Sequence, residues 1–241
     1  MGLVWGLVGL VVGGLLNIMI SRLPRGGGLL AAPLHCHACA KPLALVDVLP
    51  LVGFLRQGGR CRLCGAAISR RFPLVEGATA LLFVLAYCRY GLGVPLFTYS
   101  LYLAALVLVF AIDWRHRLIL NVVTYPMVAV GVLLSVLTPG LSLQSSLWGA
   151  AVYGGVFVLF YLLALALYRR GDALGMGDVK LAVVLGLMLG LPRAVVAMIL
   201  GVFLGAVAAA VALLAGRPGQ EAKPYGTSLS AAAAFALQYG D

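Results

Sequence analysis

Two acids stand where an apolar chain seldom leaves one. Asp178 lies in Leu174-Gly175-Met176-Gly177-Asp178-Val179-Lys180, at the mouth of the apolar segment 181–191. Asp113 closes the apolar run 94–112 and opens Asp113-Trp114-Arg115-His116-Arg117. Ionisable groups at membrane depth are expensive, so each marks a candidate functional group. Two carboxyls that share a site hold one proton between them, because the first charge opposes the second ionisation. One can then take a proton from water while the other donates to an amide carbonyl, which is the chemistry of an aspartyl hydrolase. Asp113 lies at the C-terminal end of its expected helix, where the macrodipole opposes negative charge; Asp178 lies at an N-terminal end, which favours it. Those ends point to Asp178 as the ionised base and Asp113 as the protonated acid, with the pair titrating as a unit.

Gly175 and Gly177 widen the backbone's choice of conformation and leave room for a second chain beside Asp178, so both are expected to line the substrate path. Lys180 is the candidate for neutralising substrate charge. Each residue also has a plainer reading. Asp178 would cap the helix that follows, Asp113 would pair with Arg115, His116 or Arg117, and Lys180 would snorkel. Asp172 reads as a solvated loop acid. Glu76, just inside the second apolar segment, needs a partner, for which Arg22 or Arg71 would serve.

A second chemistry sits in the loop 21–72. Cys36-His37-Ala38-Cys39 and Cys61-Arg62-Leu63-Cys64 are two C-x-x-C pairs, the signature of a four-thiolate structural zinc site in which each pair supplies two ligands. Two disulfides are disfavoured if the loop faces a reducing cytosol, and a redox pair lacks a βαβ context. His35 and His37 would replace a thiolate, but Cys36, Cys39, Cys61 and Cys64 already fill a tetrahedron. The metal is therefore expected to hold the loop rather than to cleave. Cys88 reads as a packed thiol. Gly26-Gly27-Gly28 has neither the spacing nor the preceding strand of a phosphate loop.

The elements that must position these groups are apolar. Of 241 residues, 63% are hydrophobic and 10% charged, with a mean hydropathy of +1.09; an ordinary soluble core cannot absorb that much apolar sequence. The run 3–20 reads as a retained membrane anchor, with Asn17 reserved for a helix-to-helix hydrogen bond. Seven more apolar segments follow, at 73–87, 94–112, 122–137, 147–168, 179–191, 194–215 and 227–239. The fold expected is an all-α polytopic membrane protein of about eight transmembrane helices with a small cytoplasmic zinc-binding loop. It divides into a first helix (1–20), the loop domain (21–72) and a membrane peptidase domain (73–241).

Orientation follows from the basic residues. With the N-terminus outside, inner loops and rims carry 15 of the 17 Lys and Arg, leaving Arg89 and Arg193 outside. On that topology the zinc loop, Asp113 and Asp178 all face the cytosol. The same asymmetry accounts for the net charge of +10, and no basic stripe interleaved with aromatics suggests nucleic acid.

Several stretches together carry a family resemblance. They are Gly14-Leu15-Leu16-Asn17 to Arg22-Leu23-Pro24-Arg25, the paired C-x-x-C loop ending Arg70-Arg71-Phe72-Pro73-Leu74-Val75-Glu76, the Asp113 motif, Gly175-Met176-Gly177-Asp178-Val179-Lys180, and Pro224-Tyr225-Gly226. In this order, over nearly the whole chain, they resemble the bacterial type IV prepilin peptidases. The resemblance implies an inner-membrane aspartyl protease, with Asp113 and Asp178 as the catalytic pair, that removes the short basic leader of prepilins or type II secretion pseudopilins held in the same lipid bilayer. It also implies methylation of the new N-terminus with S-adenosylmethionine in many members with the four-cysteine loop. Two departures stand out. Leu120 precedes Asn121 where the family commonly has proline, and Pro224-Tyr225-Gly226-Thr227 stands where the motif usually reads P-F-G-P. Neither is expected to touch an acid.

A competing reading from another class is a proton-coupled transporter that relays protons through the same carboxylates. It expects acids toward the midplane and inverted repeats, whereas both acids here lie at one rim and no repeat is visible. A zinc-tethered membrane scaffold would leave both acids without a purpose.

Overall fold

The computed structural model describes all residues except 27–37, 40, 42–50, 169–174, 216–224 and 240–241. Cys36, His35, His37, Asp172, Leu174 and Pro224 therefore lie outside the described residues. Two compact units divide the chain, 1–91 and 92–241. Apolar runs too long to be strands become helices throughout; among the described residues the one β pairing is an isolated antiparallel bridge, Arg60 to Ala67.

In the first unit, α1 (Gly2–Arg22) packs along α3 (Arg71–Tyr90). Their backbones touch because α1 offers glycine at the seam: a Cβ at Gly13 would stand 2.7 Å from Glu76 Cα, and one at Gly9 2.8 Å from Ala80 Cα. Small residues at close spacing are what helix pairs in lipid require, since contact there replaces the hydrophobic drive. Asn17 completes the seam, donating to Phe72 O (3.0 Å) and Glu76 Oε1 (3.1 Å), which is the interhelical hydrogen bond its position predicts. The other Glu76 oxygen accepts from Leu51 N at 2.8 Å. An amide and a main-chain N–H thus reach Glu76 within the helix seam. Between the two helices lie α2 (Val52–Arg56) and a tight turn in which Cys61 N donates to Ala66 O and Gly65 N to Cys61 O, both at 2.8 Å. Cys88 is exposed on the last turn of α3 rather than packed, because that turn presents it away from the buried positions Phe83 and Ala86.

The second unit contains α4 (Val94–His116), α5 (Asn121–Leu137), α6 (Leu143–Tyr168), α7 (Met176–Leu189), α8 (Leu191–Leu214) and α9 (Tyr225–Tyr239). α7 is buried from Val179 to Leu189 on nearly every face, Lys180 and Val183 being only half-buried. A helix apolar all round belongs inside a bundle, and α7 is in contact with α5, α6, α8 and α9. Its closest neighbour is α6, where Gly149 and Gly186 bring the two main chains into direct contact. Polar links fix the bundle end away from the acids: Thr98 Oγ1 and Thr138 Oγ1 lie 2.8 Å apart, and Arg193 Nη1 donates to Tyr99 OH at 2.9 Å.

Among the described residues, five helices are long and apolar enough to cross a membrane: Gly2–Arg25, Arg71–Tyr90, Val94–His116, Leu143–Leu167 and Leu191–Ala212. The remaining three segments form helices of 17, 14 and 15 residues. At 1.5 Å per residue the shortest, α7, is about 21 Å long, less than a hydrocarbon core of about 30 Å.

Candidate active site

Asp113 is one of the most enclosed acids in the chain, 4% exposed on the last full turn of α4. What meets it is the start of α9. Thr227 N donates to Asp113 Oδ2 at 2.8 Å, and the Gly226 N–H also bonds the carboxylate. Gly226 is required by closeness rather than by its backbone angles, for a Cβ there would lie 2.9 Å from Asp113 Oδ2. Helix N-termini leave four N–H groups without intrahelical partners, and α9 spends two of them on Asp113. Arg117, in the left-handed conformation at the helix end (φ 54°), adds positive charge nearby. The expectation that the motif departures touch no acid is thus corrected at Thr227, whose main chain binds Asp113 directly.

Asp178 occupies the third residue of α7, not its N-cap. Gly175 is the N-cap; its carbonyl accepts from Asp178 N at 3.0 Å and its N–H donates to Asp178 Oδ2 at 3.3 Å. Burial, and then the charge of Asp113, push the Asp178 carboxyl up to about 6 from an ordinary 3.8. Asp113, 65 residues earlier in sequence, is thus near enough for its charge to bear on Asp178. Ile119 is their common neighbour: a Cβ at Gly177 would lie 3.1 Å from Ile119 Cβ, and one at Gly226 3.2 Å from Ile119 Cδ1. The Asp113-to-Asn121 connection is therefore gripped between the N-termini of α7 and α9.

The glycines act through closeness. Gly175 is extended at φ −77°, ψ 144°, a conformation open to any residue, and Gly177 is not among the residues with positive φ. Gly177 is needed because Ile119 packs against it. Lys180 Nζ donates to Asn121 Oδ1 at 3.0 Å and lies 5.5 Å from the centroid of the Tyr125 ring. It joins α7 to α5 at the mouth of the site. Tyr225, quoted in the sequence only as part of the Pro224-Tyr225-Gly226 motif, was given no role of its own. Burial, and then the Asp178 charge, hold its hydroxyl above the usual phenol range, and its ring packs on Phe157 at 6.0 Å. Its place one residue ahead of Gly226 was the available signal.

In the first unit, the sulfurs of Cys39, Cys61 and Cys64 lie within 4.8 Å of one another. A tetrahedron with Zn–S bonds of 2.3 Å has sulfurs about 3.8 Å apart, so three thiolates are gathered at nearly metal-binding distance. Cys39 is half-buried, Cys61 buried and Cys64 exposed.

Comparison with known proteins decides the lineage. Residues 7–90 match the bacterial peptidase A24 N-terminal domain and residues 100–210 the type IV leader peptidase family. A prepilin leader peptidase/N-methyltransferase of Klebsiella pneumoniae is 36% identical over 197 residues, covering 77% of this chain and 86% of that protein. The chain belongs to the type IV leader peptidase family. A second member of that family, the Bacillus subtilis (strain 168) protein of the same name, is 30% identical over 237 residues, or 97% of this chain and 92% of the relative. A Pseudomonas aeruginosa protein of that name is 31% identical over 204 residues, covering 75% and 70% respectively. No solved structure matches the chain. As a leader peptidase family member the protein is an enzyme, and the second family match contains both Asp113 and Asp178.

Proposed function

We propose that this protein is an aspartyl endopeptidase of the bacterial inner membrane that removes the leader peptide of a type IV prepilin or type II secretion pseudopilin at the cytosolic face, and then methylates the new N-terminus. The observation that carries the reading is geometric: Asp178 at the start of α7 and Asp113, bound by the start of α9, flank one connection, where Ile119 packs against both Gly177 and Gly226. A pair holding one proton supplies both a base for water and an acid for the amide carbonyl. The relatives named above support prepilin as the substrate and N-methylation as the second step; S-adenosylmethionine would supply the methyl group. A prepilin lies in the same bilayer with its scissile bond at the rim, so acids at helix ends meet that bond without drawing it through lipid. Gly175, Gly177 and Lys180 are proposed to face the substrate beside Asp178. Eight spans, with α5, α7 and α9 as the short ones, would keep the acids and the loop 21–72 on the cytosolic side, in line with the distribution of basic residues.

Cys39, Cys61 and Cys64, joined by Cys36, are proposed to hold a structural zinc ion. The donors fit, being soft thiolates already clustered. The transporter reading finds no support in the family.

Incubating the purified protein in detergent with a prepilin peptide tests the proposal. Cleavage is expected from the wild type and a loss of about 10³-fold or more from Asp113→Ala and from Asp178→Ala, the scale of removing an acid–base group. Mass spectrometry of the product should show a methyl mass increment only when S-adenosylmethionine is added. Full cleavage by either variant would refute the pair.

A further inference from the structure

We propose that the main-chain N–H of Thr227 positions Asp113 for the reaction and sets the pH range in which the pair works, a role that rests on the peptidase reading above. Thr227 is the third residue of α9, so its N–H is one of the four that the helix cannot satisfy internally. It donates to Asp113 Oδ2 at 2.8 Å in a buried setting, and the bare Cα of Gly226 lets the helix end come that close. A hydrogen bond from a main-chain amide to a carboxylate is charge-assisted and directional, fixing the oxygen it holds and favouring negative charge there. The ends of α4 and α7 alone favour the resting proton on Asp113; the end of α9 works against that preference.

Among the described residues, three charged or titratable groups bear on the pair. Arg117 lies at the end of the Asp113 helix, Asp178 on α7, and Tyr225 on α9 acts on Asp178. None of these donates the bond that Thr227 supplies, which stands beside that of the Gly226 N–H, and proline is the substitution that deletes the Thr227 donor. Proline is tolerated in the first turn of a helix, where its missing N–H breaks no intrahelical bond.

The experiment compares full-length wild type, Thr227→Pro and Thr227→Ala in detergent, measuring kcat, KM and their pH dependence on a prepilin peptide. Thr227→Pro is expected to lower kcat about tenfold with KM little changed, the scale of one charged hydrogen bond. Its acid limb should move to higher pH, because a carboxylate that has lost a donor takes up a proton more readily. Thr227→Ala keeps the N–H and should lose far less. Equal losses from the two variants, or an unmoved acid limb in Thr227→Pro, would overturn the inference. Should Thr227→Pro fail to fold, Gly226→Ala reports the same contact by pressing a Cβ onto the carboxylate. There an acid limb shifted upward supports the inference and an unmoved one overturns it. Failure of the peptidase reading itself would look different: Asp113→Asn and Asp178→Asn would remain active.

Discussion

Asp178 pays for its place. Its carboxyl is pushed up to about 6, first by burial and then by Asp113, so the folded state binds this proton more tightly than the unfolded chain does. Its contribution to stability is complete below the ordinary value of 3.8 and is lost as pH rises through about 6. Asp178→Asn, neutral at every pH, should therefore gain more thermal stability over wild type at pH 8 than at pH 4.5. The difference is on the order of 2 kcal/mol, read from melting curves at the two pH values. An equal gain at both would show that the carboxyl is not strained. The same titration bears on turnover. The pair surrenders its shared proton above about pH 6, and peptidase activity should decline on that alkaline side.

Helix contacts decide whether the acids can meet at all. α7 carries Asp178, and its lateral position is fixed by Gly186 lying against Gly149 of α6 with no side chain between. Gly186→Ala forces a methyl group into the main chain of the neighbouring helix. It is expected to cost about 1–3 kcal/mol, the usual penalty of overpacking, seen as a lowered melting temperature in detergent. Gly155→Ala on the same α6 is the control, for nothing lies within 4 Å of a Cβ there, and alanine is the better helix former. Equal behaviour of the two variants would mean that the α6–α7 contact does not exist in solution.

Each unit of the whole molecule has its own source of order. In the second, a central helix is enclosed by its neighbours; in the first, the loop between α1 and α3 is tied down by Leu51 N on Glu76 and by three gathered thiols. Metal analysis of the purified protein is expected to find one zinc ion per chain, and Cys61→Ser to reduce it well below one. Chelation should hasten tryptic cleavage around Arg56, Arg60 and Arg62 while leaving the Asp113 and Asp178 carboxyls in place. Rapid loss of peptide cleavage on chelation, before any loosening of the loop, would assign the metal a part in hydrolysis instead.

The sequence by itself determined the class of fold, the helices and the two acids, since hydropathy, segment length and the scarcity of charge are properties of the chain in order. It also marked Asn17 for the helix pairing it makes, because an amide in an apolar run has few other partners. Glu76 and Asp113 show what a sequence leaves unwritten. Arginine was among the partners expected for each, and Arg117 does lend its charge to Asp113, but main-chain N–H groups from distant segments, Leu51 and Thr227, also bind them. Side-chain types are written in a sequence, whereas every residue but proline carries an N–H, so which one will reach a carboxylate is invisible until the chain is folded. The protonation preference weighs each acid's own helix and leaves out α9, a third helix end that only tertiary packing brings to Asp113.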